Sequence, residues 1–375
     1  MAEVEIGLGK SGRAAYGLDD IAIIPSRRTR DPEDVDLSWE IDAFRFELPV
    51  MASAMDAVTS PGTAIALGRL GGVGVLNLEG IWTRYDDPEP LLDEIGEISD
   101  DAVALRRIHE IYARPVDPDL IGVRVREMRD AGVVSCGAVT PHRVEELTEV
   151  IVKAELDLLV IHGTVVSAEH VTRGSGAGDG DEPLNLKTFV RRLDLPVIVG
   201  GCSSYQAALH LMRTGAAGVL VGVGAGRTSS TRRVLGTGVA QATAIADARA
   251  ARMRHLDETG VYIHIIADGG MATGGDIAKA VVCGADAVML GAPLAAATEA
   301  PGRGYHWGPA AVHPTLPRGS RVQVGTRGSL AEILAGPAPD DDGDLNLMGA
   351  LRRAMALCGH ATLKELQKAE LVVMT

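Results

Sequence analysis

Eight short apolar runs, each followed by a stretch of helical periodicity, constrain this chain more than any other feature. The runs fall at 48–55, 72–76, 133–139, 156–161, 197–199, 218–223, 261–267 and 287–290. Helical patterns occupy 61–70, 88–113, 119–131, 205–214, 240–259 and 276–283, and a last one spans 347–369. Strands covered on both faces read as continuous apolar stretches, and parallel neighbours need long helical crossovers. Eight such units predict an α/β chain folded as a (β/α)8 TIM barrel, with residues 1–375 forming one barrel domain. Two Rossmann-like halves are the alternative, but no G-x-G-x-x-G follows the first run.

The rhythm is weak at three places. The opening segment to residue 46 shows only a short strand near 21–24, and the exit loop at 172–183 is dominated by glycine and aspartate. Thr140 and Pro141 have the residue types that open a helix, and Pro115 breaks one. Residues 301–346 hold late prolines, glycines and the triplet Asp340-Asp341-Asp342 without periodicity, which predicts a mobile flap or lid after strand eight.

Composition narrows the partners. Hydrophobic residues make up 46% of the chain but aromatics only 3%, so small aliphatic side chains must fill the core. A net charge of −14 argues against a nucleic-acid surface or an anionic membrane. Cys136, Cys202, Cys283 and Cys358 show no C-x-x-C spacing, which predicts reduced thiols, no metal site and no disulfide. Polar residues at the start and the lack of a long apolar run predict a soluble, cytoplasmic protein.

Active sites of such barrels lie at the carboxyl ends of the strands. The sixth run passes into Gly222, Gly224 and Gly226, which let backbone N–H groups approach an anion closely; a flexible surface loop without a ligand is the other reading. Asp268 ends the seventh run beside Gly269 and Gly270, where a carboxylate can accept hydrogen bonds from a ribose diol while glycine amides take a phosphate. Gly291 ends the eighth and offers a second close backbone approach. Asp268 could instead cap the helix after Gly274.

Several stretches are similar to the IMP dehydrogenase and GMP reductase family: LDDIAIIP (18–25), PVMASAMDAVTSP (49–61), LGGVGVLN (70–77), RTGAAGVLVGVGAG (213–226), VLGTGVAQATAI (234–245), IIADGGM (265–271) and GGDIAKAVVCGADAVMLGAPLA (274–295). GALRRAMALCGHATLKEL (349–366) resembles the family's terminal helix. The resemblance implies a purine nucleoside monophosphate, IMP, XMP or GMP, with phosphate near Gly224, Gly226, Gly270 and Gly291 and ribose on Asp268. Ser53, within the first strand motif, joins the substrate-binding set. A nicotinamide cofactor, NAD, beside the purine and a homotetramer are implied as well. Family members often carry a regulatory pair of nucleotide-binding repeats after the second strand, whereas this chain has only the short segment 78–118.

Departures from the family pattern fall at the chemistry. The family loop G-x-G-x-G-x-x-C-T-T-R is matched by residues 222–232, which place Ser229 where the family has its nucleophilic cysteine. Thr231 keeps the place of a threonine linked to water or leaving-group activation. Arg227 stands where a phosphate-binding serine is usual, and Ala292 replaces a second one. His162, followed by Gly163, occupies the slot of a cofactor-contacting aspartate, although a histidine satisfied by neighbouring backbone is the other reading. Gly201 stands in for an asparagine that touches the nucleotide. Arg318 and Arg327 are positional candidates for a catalytic flap arginine, and no tyrosine follows Tyr305.

Three functions are compatible with these residues. The first is NAD-dependent oxidation of IMP to XMP, weakened because a serine hydroxyl is a far poorer nucleophile than a thiolate. The second is a purine nucleotide-binding protein without redox activity. Reduction of GMP is the third and needs the same thiol. Cys202, one residue past Gly201, could replace the lost nucleophile, but strand alternation points it away.

Overall fold

In a computed structural model of the chain, residues 3–167, 184–308 and 320–374 are described, and the expected exit loop at 172–183 and Arg318 lie outside them. The eight apolar runs form β1 (Val50–Ala52), β2 (Val73–Asn77), β3 (Cys136–Val139), β4 (Leu158–His162), β5 (Val197–Cys202), β6 (Gly218–Val221), β7 (His264–Asp268) and β8 (Ala287–Leu290). Every neighbouring pair is parallel, and β8 pairs with β1, so the sheet closes into a barrel. Helices that follow the strands around the barrel include α1 (Pro61–Arg69), α2 (Pro118–Asp130), α3 (Val144–Lys153), α4 (Leu186–Val190), α5 (Tyr205–Met212), α6 (Gln241–Thr259), α7 (Gly274–Cys283) and α8 (Leu347–Leu357). The predicted (β/α)8 barrel is therefore the observed fold.

Local chemistry fixes where these elements begin. Ser60 accepts from the Thr63 amide, the Thr63 hydroxyl accepts from the Ser60 amide, and Pro61 occupies the first turn of α1. Thr273 and Asp276 form the same reciprocal cap on α7. Thr273, not Asp268, is the N-cap there. A Cβ on Gly74 would lie 2.5 Å from the Ala64 Cβ, so that glycine lets α1 press onto β2.

Four expectations need correction. The opening segment contains two antiparallel hairpins, Glu3–Gly7 with Lys10–Arg13 and Trp39–Ile41 with Phe44–Phe46. Their strands are too short for a periodic signal. The helical stretch 88–113 is two helices, Glu89–Glu97 and Asp101–Tyr112, because Asp100 accepts from the Val103 amide and starts a new one. Thr140 and Pro141 belong to a turn, and α3 starts at Val144. Within 301–346, Tyr305–Trp307 pairs with Arg321–Gln323 and Leu330–Ala335 is helical.

The hairpin around Asp42 caps the amino-terminal end of the barrel. Trp39 stacks on Phe46 with centroids 5.1 Å apart and meets His264, the first residue of β7, edge-on at 6.2 Å. Beneath it, buried Asp286 accepts from Arg252 (2.7 Å), the Tyr262 hydroxyl (2.7 Å), the Ile265 amide (2.8 Å) and Lys364 (3.1 Å). Burial alone would raise the Asp286 pKa, but Arg252 and Lys364 hold it below the usual carboxylate range. Asp286→Ala would leave Arg252, 2% exposed, without its carboxylate. The expected cost is about 3–5 kcal/mol in chemical denaturation.

Candidate active site

The carboxyl ends of β6 and β7 touch. A Cβ on Gly222 would lie 2.0 Å from the Asp268 carbonyl oxygen, so no side chain fits between the two strand ends. Gly224, Gly269 and Gly270 have φ of 76°, 78° and 79°, and a Cβ on Gly269 would come within 2.8 Å of the Gly226 nitrogen. The two glycine-rich segments thus meet face to face. Gln241, opening α6, donates its side-chain amide to the Val221 carbonyl (2.7 Å) and the Asp268 carbonyl (3.2 Å), tying the strand ends together. Sequence reasoning missed this residue, although it lies inside the quoted VAQATAI stretch.

A cavity of about 490 Å³ opens here. Gly224, Gly226, Ser229, Thr231, Asp268, His162 and Gly163 line it, together with Asn77 at the end of β2 and Thr140 and His142 after β3. Ser53, Arg227, Gly270, Gly291 and Ala292 are outside its lining. Ser53 and Gly291 nevertheless adjoin one another, since a Cβ on Gly291 would be 3.2 Å from the Ser53 hydroxyl oxygen. Neither Asn77 nor His142 was expected at the site.

His162 Nε2 is 3.4 Å from Asp268 Oδ2, and their side chains are only 16% and 20% exposed. The expected cofactor contact and the expected ribose contact are therefore direct neighbours. His162 has a side-chain partner, and its backbone takes part in the pairing of β4 with β5.

Ser229 is exposed on the loop. Its amide donates to the Gly226 carbonyl (3.0 Å), and its hydroxyl donates to Thr231 Oγ1 (3.2 Å). Among the described residues no histidine or carboxylate bonds that hydroxyl, so nothing there withdraws its proton. The thiols offer no substitute. Cys202 is buried with Sγ 3.5 Å from the Leu220 carbonyl, and burial pushes its pKa up to about 12. Cys136, Cys283 and Cys358 are buried too, and burial raises each of them.

The segment after β8 returns over the Ser229 loop. Ser320 donates to the Thr228 carbonyl (2.8 Å), and the Arg321–Gln323 strand packs on the Asp101–Tyr112 helix. Arg321, wholly buried, donates to the Ile95 and Ile98 carbonyls (2.7 and 2.8 Å) and Asp101 (3.0 Å) while lying over the Tyr305 ring. Arg303 pairs with Asp93 and Glu89. Trp307 reaches the Tyr112 hydroxyl (3.4 Å), which donates to Asp56, and the Asn77 amide also donates to Asp56 (3.3 Å). Arg327 pairs with Asp344 (2.8 Å) and Asp342 (3.7 Å), which does not support a catalytic part for it.

Asp56 is fully buried, and desolvation raises its pKa to about 6 against the opposing hydrogen bond from Tyr112. Between about pH 4 and pH 6 the folded state holds a proton that the unfolded state has released, so stability falls as pH rises through that window. The expected loss from this one group is about 3 kcal/mol. Denaturation of wild type and Asp56→Asn across pH 4–7 checks it: the difference between the two should change by that amount over the window and be flat above it.

Comparison with known proteins places the chain. A family model described as "IMP dehydrogenase / GMP reductase domain" matches residues 15–375. Uncharacterized oxidoreductases of Mycolicibacterium smegmatis and Mycobacterium tuberculosis are each 52% identical, over 379 and 378 residues, covering 99% of both chains. The inosine-5'-monophosphate dehydrogenase of Methanocaldococcus jannaschii is 26% identical over 494 residues, covering 97% of this chain and 93% of its own. The crystal structure of an IMP dehydrogenase/GMP reductase-like protein from Corynebacterium glutamicum superposes with a TM-score of 0.93 at 46% identity, covering 99% of this chain and 98% of that one.

Proposed function

Because the chain belongs to the IMP dehydrogenase / GMP reductase family, we propose that it is a purine nucleotide oxidoreductase that converts IMP to XMP with NAD, at a rate limited by Ser229. The contact between Gly226 and Gly269 beside Asp268 carries this reading, because it joins anion-binding backbone to a diol-binding carboxylate. Asp268 accepts from the ribose hydroxyls. The amides around Gly224, Gly226, Gly270 and Gly291, with Ser53, Arg227 and the backbone at Ala292, hold the phosphate. The cavity continues past Asp268 to His162, Gly163 and Thr140, which leaves room for a second flat ring beside the purine. His162 and Gly163 would hold a nicotinamide there, and that group when bound accepts the hydride.

In the reaction, the Ser229 oxygen would add to purine C2 as its proton passes to solvent water, and the C2–H bond would break with its electron pair leaving as hydride to the bound dinucleotide. Thr231, buried and within 3.2 Å of Ser229, is placed to orient the water that then cleaves the oxygen–C2 bond and releases XMP. Arg318 is proposed as a catalytic residue of this step. Assembly as a homotetramer in the cytoplasm belongs to the same proposal. Among the described residues no helix is long and apolar enough to cross a membrane.

A second reading has its own support. Among the described residues the Ser229 hydroxyl has no base beside it, which favours a protein that holds the nucleotide without oxidising it. Calorimetric titration with IMP, XMP and GMP, run beside a long NADH-production assay with IMP at high protein concentration, separates the two. Binding with slow turnover supports the oxidoreductase, binding without turnover the receptor, and no binding removes both.

A further inference from the structure

Two buried hydrogen-bonding side chains, His306 and Ser53, meet at Gly291 beyond the cavity. His306, on the Tyr305–Trp307 strand, is 2% exposed, and Ser53 at the end of β1 is also 2% exposed. A Cβ on Gly291 would lie 3.1 Å from His306 Nε2 and 3.2 Å from Ser53 Oγ, so both side chains border the same backbone position. Ser53 Oγ and His306 Nδ1 are buried without a hydrogen-bond partner among the described residues. Native proteins leave few such atoms, and the Ser53 hydroxyl, buried against Gly291, is one that a ligand bound there would satisfy.

The tautomer follows from the same facts. A neutral imidazole carries one N–H, and burying an unpaired donor at Nδ1 costs more than burying a bare acceptor there. The proton therefore belongs on Nε2, facing Gly291. Burial, and then the positive charge of Arg227, push the His306 pKa down to about 4, so the ring is neutral and Arg227 is within electrostatic reach of it. No carboxylate pairs with His306, Arg227 or Ser53 among the described residues. A neutral N–H, a guanidinium and a hydroxyl suit a phosphomonoester dianion.

We propose that His306 is a specificity-determining residue that, together with Arg227 and Ser53, grips the phosphate of the bound nucleotide. This rests on the nucleotide reading above and adds a residue that the sequence resemblance did not single out. At position 292 an alanine stands where a phosphate-binding serine is implied, and His306 supplies from the ribbon the side-chain donor that Ala292 lacks. The strand that covers the site thereby takes part in recognising the substrate.

The test compares IMP with inosine, which lacks the phosphate, by calorimetric titration of the full chain. Wild type should bind IMP more tightly than inosine. His306→Phe fills the same buried space without a donor, and should weaken IMP by at least about tenfold while leaving inosine unchanged. His306→Gln, whose amide can donate, should recover most of the loss. Arg227→Ala, on the exposed loop, should weaken IMP alone by a similar factor. An unchanged IMP-to-inosine ratio in His306→Phe, or equal losses for both ligands, overturns the role of His306. Should His306→Phe not fold, His306→Leu, which also lacks a donor, takes its place, and an unchanged IMP-to-inosine ratio in His306→Leu overturns the role instead. Failure of wild type to bind IMP at all overturns the nucleotide reading first, and this inference with it.

Discussion

Ser229→Cys is expected to raise the rate of IMP oxidation by at least about a hundredfold. A thiol titrates near 8.5 and is a strong nucleophile as its thiolate, whereas an alkyl hydroxyl needs a neighbouring base to attack at all. The side chain at 229 is exposed and bonds only Thr231 among the described residues, so sulfur replaces oxygen without displacing packed atoms. Positioned proton-transfer groups contribute about a hundred- to ten-thousandfold, and the want of a base beside Ser229 among the described residues is the deficit that a thiolate bypasses. NADH absorbance during turnover with IMP measures the gain. A rate unchanged from wild type would mean that more than the nucleophile is missing, and would favour the receptor.

The second large effect concerns binding. Asp268→Ala removes the carboxylate proposed to accept both ribose hydroxyls, and two charge-assisted hydrogen bonds together are worth about 3 kcal/mol. IMP affinity should therefore fall about a hundredfold. The fold should survive, because β7 is held through its backbone: Asp268 pairs in register with Met289, and Gln241 bonds its carbonyl. Calorimetry for affinity and a melting curve for integrity read the two quantities separately. A variant that melts like wild type and binds IMP as tightly would remove Asp268 from the site.

Much of the architecture was legible because parallel strands buried on both faces write themselves as aliphatic runs. The stretch 156–161 became β4, and 287–290 became β8. The ends of β6 and β7 were equally readable, since glycines beside a carboxylate at a strand end serve few purposes other than close approach. Elements held by partners distant in sequence were not readable. The strand Tyr305–Trp307 pairs with residues on the far side of a long loop, and nothing in YHW alternates enough to announce it. His306 went unnoticed for that reason. Asn77 and Gln241 lie inside motifs that were recognised, yet their roles depend on the third dimension: one bonds Asp56, the other bridges two carbonyls. Asp56 reads as the end of a strand motif and gives no sign in sequence that Tyr112 from a separate helix will meet it.

A crystal structure of the chain grown with IMP tests the central claim most directly. The account predicts density for one nucleotide at the carboxyl end of the barrel, with the ribose hydroxyls on the Asp268 carboxylate and the phosphate against Gly270 and Gly291, beside His306 and Arg227. Nucleotide density elsewhere on the molecule, or an empty barrel mouth at saturating IMP, would contradict it.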